Sequence, residues 1–224
     1  MSYWILFIGT ALASWIVSAV FNSRMKKYSQ VALDRNLTGA DIARKMLNDS
    51  GITDVQVIAT GGSLTDHYNP ANKTVNLSET VYASNSVAAA AVAAHECGHA
   101  IQHAKAYAPL KMRSALVPVV NFSSKYVMWI LLAGMFLVQT FPALMLAGIV
   151  LFAFTTLFSF ITLPVEIDAS RRALAWLRNE GVTNNSLQPM AESALRSAAY
   201  TYVVAALASL ATLVYYIMIF MRRN

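Results

Sequence analysis

His95 and His99 stand four residues apart in Ser86-Val-Ala-Ala-Ala-Ala-Val-Ala-Ala-His-Glu-Cys-Gly-His-Ala-Ile-Gln102. The alanine-rich run favours a helix. On a helix, residues four apart share a face, so both imidazoles can reach one metal ion. Glu96 follows the first histidine, where a carboxylate can act as general base toward a metal-activated water. The pattern points to metal-dependent hydrolysis and leaves three things to find: a third ligand, a surface for a substrate, and a location.

The third ligand is not supplied by the same helix. His103 shares the face, but it lies about 12 Å along the axis from His95. One ion at ~2 Å from each ligand cannot span that distance. A third histidine six residues after His99 is also absent, because that position is Lys105. Glu166 is the best distant candidate, since it follows an apolar run and Pro164, where an acid needs a reason. The competing explanation is an acid favoured at a helix N-terminus. Asp168 is placed either to orient a ligand imidazole or to serve that same N-terminus. His67, in a predicted strand, either stabilises an oxyanion or is structural. Gly98 is costly inside a helix, so its place beside His99 predicts close backbone packing near the ion. Cys97, the only cysteine, points away from the histidine face and is expected as a small buried residue.

Composition supplies the location. Of 224 residues, 57% are hydrophobic and 12% are charged, about half the charged share of a soluble domain. The chain therefore reads as an integral membrane protein. Its net charge of +6 does not indicate nucleic acid, because the basic residues flank apolar runs and form no long stripe.

The chain divides into five segments. Residues 1–22 form an N-terminal transmembrane anchor, with Tyr3–Phe21 long enough to span. Ala11-Leu12-Ala13 imitates a cleavage site, but no positive charge precedes the run, and Arg24, Lys26 and Lys27 follow it. Residues 23–125 form a core that carries the His-Glu-x-x-His helix. Within it, Gln30–Ser50 is polar and helical in pattern, with Thr38 to Asp41 as a capping box. Short strands are predicted over 55–58, 64–68 and 74–77. This small sheet either packs the helix or offers an edge to an extended substrate. Ser84 or Asn85 is placed to cap the metal-binding helix. Pro109 and Pro118 punctuate 104–125, whose apolar part Leu116–Phe122 is either buried or interfacial.

Residues 126–163 would be about 57 Å long as one helix, nearly twice the hydrocarbon thickness. A break at Gln139-Thr140-Phe141-Pro142 makes them a transmembrane hairpin, closed by Pro164. Residues 164–197 are polar, with a helix expected over 169–178, and 198–224 hold a last span. Fifteen of the seventeen Lys and Arg residues fall in 22–125 and 164–197. The positive-inside rule places both segments, and so the site, in the cytoplasm.

Four stretches carry a family resemblance: Leu64-Thr-Asp-His-Tyr-Asn-Pro70, Leu77-Ser-Glu-Thr-Val-Tyr82, Ala93-Ala-His-Glu-Cys-Gly-His-Ala-Ile-Gln102 and Pro164-Val-Glu-Ile-Asp-Ala-Ser-Arg171. Together they resemble the YugP-type neutral zinc metallopeptidases, membrane proteins similar to the HtpX class of gluzincins. The resemblance implies a bacterial inner-membrane peptidase with one catalytic Zn2+. It implies His95, His99 and Glu166 as ligands and Glu96 as base. Against the wider pattern Glu-aromatic-x-Ala-Asp, Ala169 matches but Ser170 occupies the Asp position.

The expected architecture is a mainly α membrane protein. Four transmembrane helices accompany a cytoplasmic zincin-like α+β zinc-peptidase core, made of a small sheet and the HExxH helix. Its expected partners are the lipid bilayer and a peptide or membrane-protein substrate. The rival reading is a non-catalytic zinc-containing scaffold or client-binding protein. A transporter is disfavoured because the apolar runs carry no ionisable residue.

Overall fold

The computed structural model describes residues 3–223. Residues 1, 2 and 224, at the outer ends of the first and last predicted segments, lie outside the described residues. In chain order the elements are α1 (Tyr3–Tyr28), α2 (Gly39–Asp49), β1 (Gln56–Thr60), β2 (His67–Asn69), β3 (Thr74–Ser78), α3 (Glu79–Tyr82), α4 (Val87–Ala104), α5 (Ala108–Leu137), α6 (Pro142–Asn179) and α7 (Gln188–Arg223). The fold is mainly helical, and α1, α5, α6 and α7 are each long and apolar enough to cross a membrane.

Two compact units divide the chain. One comprises Val17–Ala108 and Pro164–Tyr200. Its centre is α4, where Ala88, Ala89, Ala90, Ala91, Ala93 and Ala94 are all buried. Side chains this small let neighbouring elements approach α4 closely and cost no rotamer entropy on burial. Ile42 and Met46 of α2, Val75 and Leu77 of β3, and Leu177 of α6 close the core around it. Cys97 is fully buried there, with its thiol directed to the Ala43 carbonyl at 3.5 Å, as its position away from the histidines predicts.

The sheet order is β1-β3-β2, with β1 parallel and β2 antiparallel to β3. β2 is therefore an edge strand although it comes second in sequence. It starts at His67 rather than 64, because the chain bends over 61–64. Leu64 adopts φ +58°, and the Thr65 hydroxyl bonds the Gly61 carbonyl at 3.1 Å.

Helix starts follow local chemistry. Thr38 and Asp41 make the expected capping box of α2, while the residues before it stay outside the helix. The cap of α4 is Ser86, whose hydroxyl accepts from the Ala89 N–H at 3.2 Å. Neither Ser84 nor Asn85 does this; the Ser84 hydroxyl turns to Ser86 instead.

The other unit comprises Pro109–Leu163 with the described residues of Met1–Ile16 and Thr201–Asn224. The helical hairpin breaks where predicted, between Leu137 and Pro142. Gly134 makes the pairing possible, since a Cβ there would stand 2.6 Å from Met145 Cα. Leu131, Val138, Met145 and Ile149 pack beside it, and the Thr156 and Ser209 hydroxyls bond at 2.8 Å. Small residues and interhelical hydroxyl bonds are the usual means of joining helices where lipid removes the hydrophobic drive.

Two prolines do not act as predicted. Pro118 lies inside α5, which begins at Ala108 and takes in Leu116–Phe122. Pro164 does not close its helix either, since α6 continues through it to Asn179. An interior proline costs one hydrogen bond and a ring clash, ~3 kcal/mol. The packing of Val165, Ala169, Ala173 and Leu177, all fully buried, outweighs that cost.

Candidate metal centre

α4 and the part of α6 beyond Pro164 bring three side chains to one point. His95 Nε2 lies 3.2 Å and His99 Nε2 3.6 Å from Glu166 Oε2. Ligand atoms of His95, His99 and Glu166 all fall within 4.8 Å of one another. The side chains are largely buried, with 15%, 11% and 5% of their surfaces exposed respectively. Glu166 sits deep inside α6, so a helix N-terminus does not account for an acid at this position.

Contact between the two helices depends on Gly98. A Cβ there would lie 2.6 Å from the Ala169 carbonyl oxygen and 3.0 Å from Ala169 Cα. The close packing expected of this glycine is therefore present, and it is made against the helix that carries Glu166.

The remaining ring nitrogens are also engaged. The Ser170 hydroxyl lies 3.1 Å from His95 Nδ1. Gln102 Oε1 lies 3.1 Å from His99 Nδ1, while Gln102 Nε2 donates to the Val165 carbonyl at 2.8 Å and to Asp168 Oδ2 at 2.9 Å. Asp168 touches neither imidazole; it accepts from Gln102 and, at 2.6 Å, from Arg172 Nε.

These contacts suit a cation at the triad. With both Gln102 N–H groups donating to oxygens, its carbonyl faces His99 Nδ1 and accepts from that nitrogen when it carries the proton. His99 Nε2 can then present a lone pair toward a carboxylate, an arrangement that a cation resolves. Two ligands of a tetrahedral zinc at ~2 Å stand ~3.3 Å apart, close to the separations from Glu166. Burial pushes the His99 imidazole below its ordinary value, but the neighbouring Glu166 and Glu96 carboxylates outweigh it and the net shift is upward; the two acids make the pocket favourable to a cation. Burial drives the Cys97 thiol strongly upward, so it is neither ligand nor nucleophile.

Glu96 lies beside the triad on α4, with 8% exposure. Its Oε2 accepts from the Tyr68 backbone N–H of the edge strand β2 at 3.0 Å. The Tyr68 hydroxyl in turn lies 2.8 Å from His103 Nδ1. His103 and His67 are both exposed, and the His67 ring nitrogen bonds the Thr65 carbonyl at 2.8 Å. Neither joins the triad.

Sequence reasoning did not anticipate Gln102 or the contact made by Ser170. A weak signal existed for each. Gln102 stands three residues after His99, on the same helical face, and Ser170 replaces the Asp of the wider pattern.

The chain matches the family model described as "Putative neutral zinc metallopeptidase" over residues 3–221. It is 43% identical over 199 residues to "Putative membrane protease YugP" of Bacillus subtilis (strain 168), covering 89% of this chain and 88% of that protein. No solved structure matches it.

Proposed function

The chain belongs to the neutral zinc metallopeptidase family, and from that premise we propose that it is a membrane-anchored zinc endopeptidase of gluzincin type with a zincin-like core. The convergence of His95, His99 and Glu166 within 4.8 Å carries the reading. In it, the two imidazoles and the carboxylate hold one Zn2+. When bound, the ion supplies Lewis acidity for a scissile carbonyl and lowers the pKa of a water.

The chain's own residues do the rest. Glu96 takes the proton of the attacking water on its carboxylate and passes it to the leaving amide nitrogen. The Tyr68 N–H, bonded to Oε2, holds that carboxylate in place. Gln102 and Ser170 keep the imidazoles aimed. Among the described residues β2 is paired with a strand on one side only, and with its Tyr68 N–H held by Glu96 it sets the edge of the small sheet against the site, where an extended peptide would lie.

Location follows from charge. Fifteen of seventeen basic residues lie in 22–125 and 164–197, which supports a cytoplasmic site. Glu166 follows the apolar run ending at Leu163 by three positions, which favours peptides or membrane-protein segments near the bilayer as substrates. The test is Glu96→Gln in the full chain. Peptide cleavage should be lost while zinc is retained at wild-type stoichiometry; cleavage that survives overturns the mechanism.

A further inference from the structure

Gln102 is fully buried, and both of its Nε2 hydrogens are used, on the Val165 carbonyl at 2.8 Å and Asp168 Oδ2 at 2.9 Å. Turning the amide over would set its carbonyl against two acceptor oxygens, which is unfavourable at full burial. Its Oε1 is therefore fixed toward His99 Nδ1, 3.1 Å away. Asp168 is itself fixed by Arg172 at 2.6 Å.

We infer that Gln102 is a positioning residue that holds the His99 proton on Nδ1 and thereby keeps Nε2 open as a donor atom. The inference rests on the reading of the triad as a metal site and deepens it. The proton on one imidazole nitrogen is set by the partner of the other, and an isolated imidazole has two tautomers to choose between. Only the one with Nδ1–H presents a lone pair beside Glu166. A side chain that specifies this tautomer removes the cost of selecting it each time a metal binds. Gln102 also spans the seam between helices, since its donors land on α6 while its acceptor serves α4. One residue thus aligns both ligand-bearing helices and sets the protonation pattern of one ligand.

Asp168 gains a definite part here. It does not orient an imidazole itself; it fixes the amide that does. Arg172 holds Asp168 in place. The order Arg172, Asp168, Gln102, His99 runs from a charged pair near the surface to the ligand, with a hydrogen bond at each step.

The test uses the full chain in detergent, labelled with 15N-histidine and freed of metal, at alkaline pH where the imidazoles are neutral. The His99 signals are assigned by their loss in His99→Ala. In wild type the proton should reside on Nδ1, and in Gln102→Met, which has similar volume and no hydrogen bonds, that preference should disappear. Zinc affinity, read by competition with a chromophoric chelator, should fall ~10- to 100-fold in Gln102→Met with unchanged helical circular dichroism. A wild-type His99 carrying its proton on Nε2 overturns the inference, whether or not the variant folds. So does a Gln102→Met protein that binds zinc as tightly as wild type, and in that case the metal site itself stands. If wild type and His99→Ala bind zinc equally, the metal site fails and the inference falls with it.

Discussion

Gly98 of α4 rests on the backbone of Ala169 in α6, so close that a Cβ at position 98 would lie 2.6 Å from the Ala169 carbonyl oxygen. Ala169 lies between Asp168 and Ser170 and three positions beyond Glu166. The spacing of the two helices at this point therefore sets how far Glu166 stands from His95 and His99.

Gly98→Ala separates two effects. Alanine gains up to about 1 kcal/mol of helix propensity, while overpacking against backbone costs about 1–3 kcal/mol. The expected outcome is a folded protein whose helices are pushed apart at the triad. Zinc affinity should fall more steeply than thermal stability, which chelator competition and unfolding scans on the same sample will compare.

Ser170 should tune His95 as Gln102 serves His99. Removing its hydroxyl with Ser170→Ala takes away the partner of His95 Nδ1 at 3.1 Å, and a zinc affinity loss of about 10-fold is expected. Ser170→Asp, which restores the acid of the wider gluzincin pattern, supplies a stronger acceptor and should recover or exceed wild-type affinity. Competitive zinc titration of the three proteins checks the order.

Metal should stabilise the fold it bridges. At a free zinc concentration 100 times Kd the gain is about 2.7 kcal/mol, so chelation should lower the unfolding temperature of wild type. His99→Ala should show no such response. Thermal scans with and without chelator measure both.

The Thr38–Asp41 box gives a prediction away from the site. Thr38→Ala should cost about 1 kcal/mol of stability. The Thr38 hydroxyl and backbone N–H hold the Asp41 carboxyl below its ordinary 3.8. A depressed carboxylate contributes stability that is present above its unfolded value and lost as pH falls through the folded one. The penalty of Asp41→Ala should thus be largest near neutrality and shrink once the pH drops below that range. Denaturant unfolding at several pH values reads the trend.

The helix that groups His95, Glu96 and His99 was legible in the sequence, because a four-residue spacing on a helix is local geometry. The need for a break in 126–163 was legible from length, since an apolar run nearly twice the hydrocarbon thickness does not cross once, and Gln139 to Pro142 marked its place. Pro164 misled because a proline's local cost says nothing of the packing by Val165, Ala169 and Leu177 that overcomes it. The capping hydroxyl of α4 fell to Ser86 by the choice of one turn among several serines. Gln102 and Ser170 were hidden for a different reason. Gln102 meets His99 within α4, but the direction its amide faces is set by α6, 63 residues away at Val165, and Ser170 reaches His95 across 75 residues; no local pattern encodes those contacts between helices. Asp168, which the sequence left between orienting an imidazole and serving a helix N-terminus, contacts neither ring and instead accepts from Gln102 and Arg172.

The most direct test is a structure of the zinc-loaded protein. The account predicts one ion bound by His95 Nε2, His99 Nε2 and a Glu166 oxygen at ~2 Å each, with a fourth position open to water. An ion bound without Glu166, or one closed off by a fourth protein ligand, would contradict it.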